Sequence, residues 1–196
     1  MSKQKIIDVS LECFAYHGYE NTSLTDIASK VGIKKPSLYN HFSSKEEIFL
    51  EVLKEVAVKE SEHFQAFTRQ TGDQPVKQRL EKVYHFYVDH MANSTEGTFF
   101  KRFTFFPPED FSDEIKQVFL QVEEQANDII RPIFKQGMDE GTLRHLPIDE
   151  TLSAFYTLID GLFLEENFYD KDTLAKREQA SFKIFWLGVQ KSSEED

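Results

Sequence analysis

The side chains best suited to reading a polar surface are gathered between Pro36 and Phe42. Set on a helix at about 100° per residue, Leu38 and Phe42 fall on one side, while Pro36, Ser37 and Asn40 fall on the other. Tyr39 and His41 lie on the two flanks. A hydroxyl and a carboxamide on an open helical face can hydrogen-bond the edges of base pairs, where the amide both donates and accepts. Tyr39 and His41, with Lys34, Lys35 and Lys45 close by in sequence, bring donors suited to phosphate oxygens. The chemistry implied is non-covalent contact with duplex DNA. Taken alone, the same pattern fits the solvated face of a short surface helix equally well.

Other chemistry finds less support. Glu123, Glu124, Asp160, Glu165 and Glu166 would serve acid–base catalysis only if buried and convergent. They would suit a cationic ligand if aromatic rings stood beside them, and each taken singly reads first as a solvated carboxylate. No nucleophile elbow, phosphate loop or dinucleotide fingerprint accompanies them, so no catalytic residue, enzyme activity or cofactor is expected. His85 and His90, five residues apart, sit on different helix faces, and neither has a Cys, His or Glu partner at a metal-ligand interval, so no metal site is expected. The single cysteine, Cys13, excludes an internal disulfide and fits a reducing cytoplasm. No apolar run reaches the ~18–20 residues that cross a bilayer, so no membrane partner is expected.

Positioning that face requires helices, and the chain reads as helix almost throughout. Ile7, Leu11 and Phe14 make a helical stripe stopped by Gly18. Ser23 to Asp26 has the form of a capping box, and Leu24, Ile27, Ala28 and Val31 follow as a second stripe ended by Gly32. Pro36 is well placed at the start of a third helix of about two turns, running through Phe42. Ser44 to Glu47 is a second capping box, opening a longer helix with Phe49, Val52, Leu53 and Val56 inward. Further helices are predicted from Pro75, Ser112, Asp149 and about Asp172, with a turn at Asn93–Gly97, a kink at Pro132 and a polar tail from Lys191 to Asp196. The phenylalanines between Phe99 and Phe111, interrupted by Pro107-Pro108, look too irregular for one helix. No strand alternation or hairpin signal is present. The expected fold class is all-α, with a three-helix helix-turn-helix domain at residues 1–46 and a helical effector-binding and dimerisation domain at 47–196.

Charge follows the same division. The whole chain carries −11, yet residues 1–45 hold six Lys/Arg against four Asp/Glu, net +2, leaving −13 on the remainder. A cationic head on an acidic body is the asymmetry expected when one part meets phosphate and the rest must stay clear of it.

Gly18-Tyr19, Thr22-Ser23-Leu24, Asp26-Ile27-Ala28, Val31-Gly32 and the run from Leu38 to Glu47 together closely resemble the tetracycline-repressor (TetR) family of regulators. The resemblance covers roughly residues 3–55, and it puts the family's usual tyrosine, histidine, phenylalanine and lysine on Tyr39, His41, Phe42 and Lys45. Pro36 departs from the glycine of many members and removes a backbone donor. Leu24 stands where some members carry a DNA-touching hydroxyl. What the resemblance implies is a homodimer, paired through the last two long helices, that binds double-stranded operator DNA and is released by a small-molecule effector. A helical ligand- or partner-sensing protein that does not bind DNA is the alternative.

Two features of the larger domain bear on those roles. The apolar surface of residues 150–168 and the Ile184–Val189 cluster exceed what one covered face needs, and read either as a dimer face or as monomer core. Tyr84, Tyr87, His90, Phe99, Phe103, Phe106, Phe119 and Phe155 read either as the lining of a cavity for an apolar or aromatic effector or as packed core.

Overall fold

The computed structural model describes residues 2–192, so the polar tail lies outside the described residues from 193 onward. Among the described residues the regular structure is helical, with one isolated bridge between Leu143 and Gln190. The helices are α1 (Lys3–His17), α2 (Leu24–Val31), α3 (Lys35–Leu38), α4 (Lys45–Arg69), α5 (Val76–Asn93), α6 (Thr95–Phe105), α7 (Ser112–Asp139), α8 (Ile148–Glu165) and α9 (Lys171–Val189). A 3-10 turn, Glu109–Phe111, leads into α7. No described helix is long and apolar enough to cross a membrane.

Packing groups the chain into two compact units: Met1–Glu62 with Asn93–Val122, and His63–Ala92 with Glu123–Asp196. The first unit holds α1–α3, the first part of α4, α6, and the start of α7. Its core gathers Phe14, Tyr19, Phe49, Phe99, Phe103 and Phe111, all buried. Phe49 is the hub, with ring centroids 4.9 Å from Phe103, 4.9 Å from Phe111, 5.1 Å from Tyr19 and 5.5 Å from Phe14. Helix α6 lies along α1, where Arg102 Nε donates to the Ala15 carbonyl at 2.9 Å. A cation at the C-terminal end of α1 is well placed, because the last carbonyls of a helix lack intrahelical partners. Cys13 is buried in this unit, and burial pushes its thiol pKa up.

The Phe-rich segment is not one helix, as expected, but its first part is more regular than its composition suggests. The turn expected at Asn93–Gly97 is short, and α6 starts at Thr95, with Ser94 Oγ accepting from Gly97 N at 2.8 Å as its cap. The phenylalanines from Phe99 to Phe105 then ride a regular helix. It ends at Phe106, whose φ −135° and ψ 65° lie outside the helical region, from which the ring of Pro107 bars the residue before it. Pro132 sits within α7, which continues past it to Asp139.

The second unit packs the ends of α4 and α7 with α5, α8 and α9. Tyr84 and Phe155 are fully buried at its centre. The Tyr84 ring lies 5.3 Å from Phe182, and Phe155 lies 5.8 Å from Phe134 and 5.4 Å from Phe185. Tyr84 Oη donates to the Glu178 carbonyl, and the Glu178 carboxylate pairs with His85 Nδ1. Gly137 fits this packing because it has no Cβ. A Cβ there would stand 2.6 Å from Leu143 Cδ1 and 2.9 Å from Val76 Cγ1. Gly137→Ala is therefore expected to destabilise the fold by about 1–3 kcal/mol, as overpacked core sites do. Urea denaturation checks this, and an unchanged midpoint would show that Leu143 and Val76 move aside freely.

Candidate nucleic-acid interface

The interface is built on α2, α3 and the turn that follows. Ser23 Oγ accepts from Asp26 N at 3.2 Å, while Asp26 Oδ2 accepts from Ser23 N at 2.9 Å. The capping box thus satisfies two end groups of α2 at once, and the Ser23 hydrogen bonds hold the Asp26 carboxyl below the usual range. Ile27, Ala28 and Val31 face inward. Gly32 ends α2 with φ 86°, a left-handed conformation that costs glycine nothing, and Ile33 N turns back to the Ala28 carbonyl at 2.9 Å.

Helix α3 is shorter than predicted. Regular helix covers Lys35–Leu38, with Pro36 in its first turn, and residues 39–41 form a turn. His41 N and Phe42 N both bond the Leu38 carbonyl, at 2.9 and 3.0 Å. The His41 amide takes the carbonyl three residues back and not that of Ser37 four back, which breaks the i to i−4 ladder, and the chain is then taken over by the cap of α4. The two-sided division survives this. Leu38 and Phe42 are buried, sharing one core cluster with Ile27 and Val31. Tyr39 is 52% exposed, and Lys34, Lys35, Pro36, Asn40 and His41 are exposed with it, Ser37 being half-buried.

Lys45 is engaged on the protein side. Its Nζ donates to the Tyr19 carbonyl at 3.0 Å and sits 3.9 Å from the centroid of the Tyr19 ring. An ammonium carries three donors, so this leaves others for an anion. The Tyr19 hydroxyl in turn donates to Glu46 Oε1 at 3.2 Å, and the Glu46 carboxyl is held low chiefly by the Ser44 hydroxyl, then by its own backbone amide, with a smaller part from Tyr19. The second capping box is also modified. Ser44 Oγ accepts from Glu47 N at 3.2 Å, but Glu47 Oε2 accepts from Ser43 N at 2.6 Å, one residue earlier than the simple motif. Ser43 and Ser44 together therefore fix the corner between the exposed turn and α4.

The residues named for a ligand separate by unit. In the first unit, Phe99 and Phe103 are core, 4.6 Å apart between centroids. Phe119 lies 6.1 Å from Phe100, and Phe106 is 72% exposed. In the second, Tyr84 and Phe155 are core, the Tyr87 ring lies 4.8 Å from Phe64, and His90 stacks on Phe86 at 5.4 Å. Sequence spacing does not single out His63, whose ring stands edge-on to His90 with centroids 5.5 Å apart. It is 27 positions away, and the helix-to-helix approach that joins them leaves no periodic signal.

The same region carries the likeness to known proteins. The profile of bacterial regulatory proteins of the tetR family matches residues 6–52. The chain is 27% identical over 187 residues to the HTH-type transcriptional regulator SrpR of Pseudomonas putida, covering 94% of this chain and 84% of SrpR. It is 50% identical over 52 residues to the negative transcriptional regulator IcaR of the icaADBC biofilm operon of Staphylococcus aureus, covering 26% of this chain and 28% of IcaR. Its fold is similar to that of a regulator from Saccharomonospora viridis solved in complex with choline, with a TM-score of 0.79 at 18% identity, covering 96% of this chain and 97% of that one.

Proposed function

We infer the role of this protein from one premise: the chain belongs to the tetR family of bacterial regulatory proteins and is a DNA-binding transcriptional regulator. That family is not enzymatic. We propose that the chain is a repressor, binds a palindromic operator as a homodimer, and leaves it when a small apolar or aromatic molecule binds. The observation that carries the DNA reading is the division of residues 34–42 into a buried pair, Leu38 and Phe42, and an exposed polar set. Ser37 and Asn40 are assigned to base edges. Lys34, Lys35, Tyr39 and His41 are assigned to phosphates, with Lys45 adding a contact from the donors that Tyr19 leaves over.

Selection of bound DNA from a random pool tests this, with enrichment of a two-fold symmetric site as the expected result. Asn40→Ala is expected to relax the preference at particular base pairs by ~1–3 kcal/mol. Lys34→Ala is expected to weaken binding to all sequences alike and to lower the salt slope by ~0.9 for each phosphate that is no longer neutralised. A selected site unaltered by Asn40→Ala would remove Asn40 from the base-reading role.

Dimerisation is assigned to α8 and α9. Their outer surface carries a groove of about 640 Å³ lined by Ala154, Thr157, Leu158, Ala180, Ile184 and Phe185. Ile184 is 66% exposed, and Leu187 54%. Large aliphatic side chains grouped on one exposed helix face favour a partner surface, and a two-fold axis through it gives each copy the same contact. Repression has support from IcaR, a negative regulator with which the chain shares 50% identity over 52 residues. A small-molecule effector has support from the choline-bound structure. We place the effector in the second unit, which holds Tyr84, Tyr87, His90 and Phe155. Release requires only that it bind the DNA-incompetent conformation more tightly than the competent one.

A further inference from the structure

We propose that Glu123 and Asn127 of α7, with Tyr156 and Asp160 of α8, bind the ammonium head of a small apolar or aromatic amine. This rests on the effector reading above and names the chemical class of that effector.

The four residues are two helical pairs, each one turn apart, and the two helices are joined at their flanks. Arg131 Nη1 donates to Asp149 Oδ1 at 2.7 Å, and Phe134 meets Phe155 edge-on. Tyr156 follows Phe155 on α8, and the charges of Glu123, one turn before Asn127, and Arg131, one turn after it, both bear on its phenol. Asn127 is only 9% exposed. Its Nδ2 donates to Glu124 Oε2 on the same helix at 3.5 Å, yet its Oδ1 has no partner within the protein. The Tyr156 hydroxyl is likewise buried without a partner. Asp160 is mostly buried, and the charge that bears on it is that of Glu123, another carboxylate. Burial first, and Glu123 second, push its pKa up to about 6.

Buried polar atoms normally have partners, and each exception calls for an explanation. Here the two carboxylates, Glu123 and Asp160, and the Asn127 Oδ1 can only accept hydrogen bonds, and the phenol can do either. The neighbouring cation, Arg131, is paired with Asp149. What the group lacks is positive charge delivered with N–H donors. A protonated amine supplies both, and its apolar portion suits the adjoining aromatic rings. A quaternary ammonium supplies the charge alone, and a bare divalent ion would leave the aromatic surroundings unused.

The test is calorimetric titration of the full chain at pH 7.5 with benzylammonium, benzyltrimethylammonium, benzyl alcohol and calcium. Benzylammonium is expected to bind tightest. Asp160→Asn is expected to weaken it about 30-fold or more, as removal of one member of a buried charge pair does, while leaving benzyl alcohol unaffected. Lowering the pH to 5 should weaken benzylammonium in the same way, as Asp160 takes up a proton among Glu123, Glu124, Arg131 and Tyr156. Tyr156→Phe, which removes one oxygen, gives a second variant should Asp160→Asn fail to fold, and is expected to weaken benzylammonium several-fold. The proposal is overturned if benzylammonium binds no more tightly than benzyl alcohol, if both variants bind it like the parent, or if calcium binds in its place. Operator binding measured in parallel separates the two readings. Release of DNA by a neutral compound without any preference for amines would leave the effector reading standing and remove this one.

Discussion

Replacing Phe49 by alanine is expected to destabilise the first unit by about 3–5 kcal/mol, the usual cost of removing a buried phenylalanine ring. Phe49 is fully buried, and five aromatic rings from four separate stretches of chain surround it: Phe14, Tyr19, Phe99, Phe103 and Phe111. No single neighbour can move into the space without abandoning another. Domains of this kind have about 5–15 kcal/mol of stability in all, so the loss would leave the DNA-binding head partly unfolded at growth temperature. Urea unfolding followed by circular dichroism, with operator binding measured beside it, checks the prediction. Phe49→Leu keeps much of the volume and should cost less. A midpoint shift below about 1 kcal/mol for the alanine variant would mean that the cluster can collapse and that Phe49 is not its centre.

The second large effect is on assembly. Ile184→Asp is expected to leave the folded protomer intact, because Ile184 is 66% exposed there, so its consequence falls on the proposed dimer. A two-fold interface receives each substitution twice. Burying an unpaired carboxylate at a partner surface costs about 2–5 kcal/mol, and two of them bring the loss of dimer affinity to roughly a thousandfold or more. Sedimentation at micromolar concentration should then show a monomer, and operator affinity should fall with it, because one head alone reads a half-site. A variant that stays dimeric and keeps its operator affinity would move the interface away from α9.

Local chemistry makes much of the head legible in the sequence. Ser23 and Asp26 are three residues apart and satisfy each other, Gly18 and Gly32 stand where a positive φ ends a helix, and Leu38 and Phe42 are buried as their spacing requires. Each of these signals lies within a few residues of the feature that it predicts. The misses are of two kinds. Near helix ends, competing partners decide the outcome: Glu47 takes the amide of Ser43 rather than Ser44, and the His41 amide takes the Leu38 carbonyl rather than that of Ser37, which shortens α3. Over longer range, spacing carries no information about what meets what. The pairing of α6 with α1 and the meeting of Phe134 on α7 with Phe155 on α8 arise from packing. The Phe-rich segment shows both effects. Its irregular composition hides a regular helix whose start is fixed by Ser94 and whose end is fixed by Pro107.

The packing of α6 on α1 bears on how such regulators can be recombined. The match to the tetR-family profile ends at residue 52, and exchange at that seam would look natural from sequence. Yet the core beneath the head is closed by Phe99, Phe103 and Phe111, and the last carbonyls of α1 are met by Arg102 at Ala15. All four residues lie far downstream of the seam. A head grafted from a relative would arrive without the rings that complete it, and the recipient's own α6 would press against a foreign α1. Interchangeable operator specificity in this fold is thus a property of two separated stretches of chain, and the surface of α6 that touches α1 has to travel with the reading head.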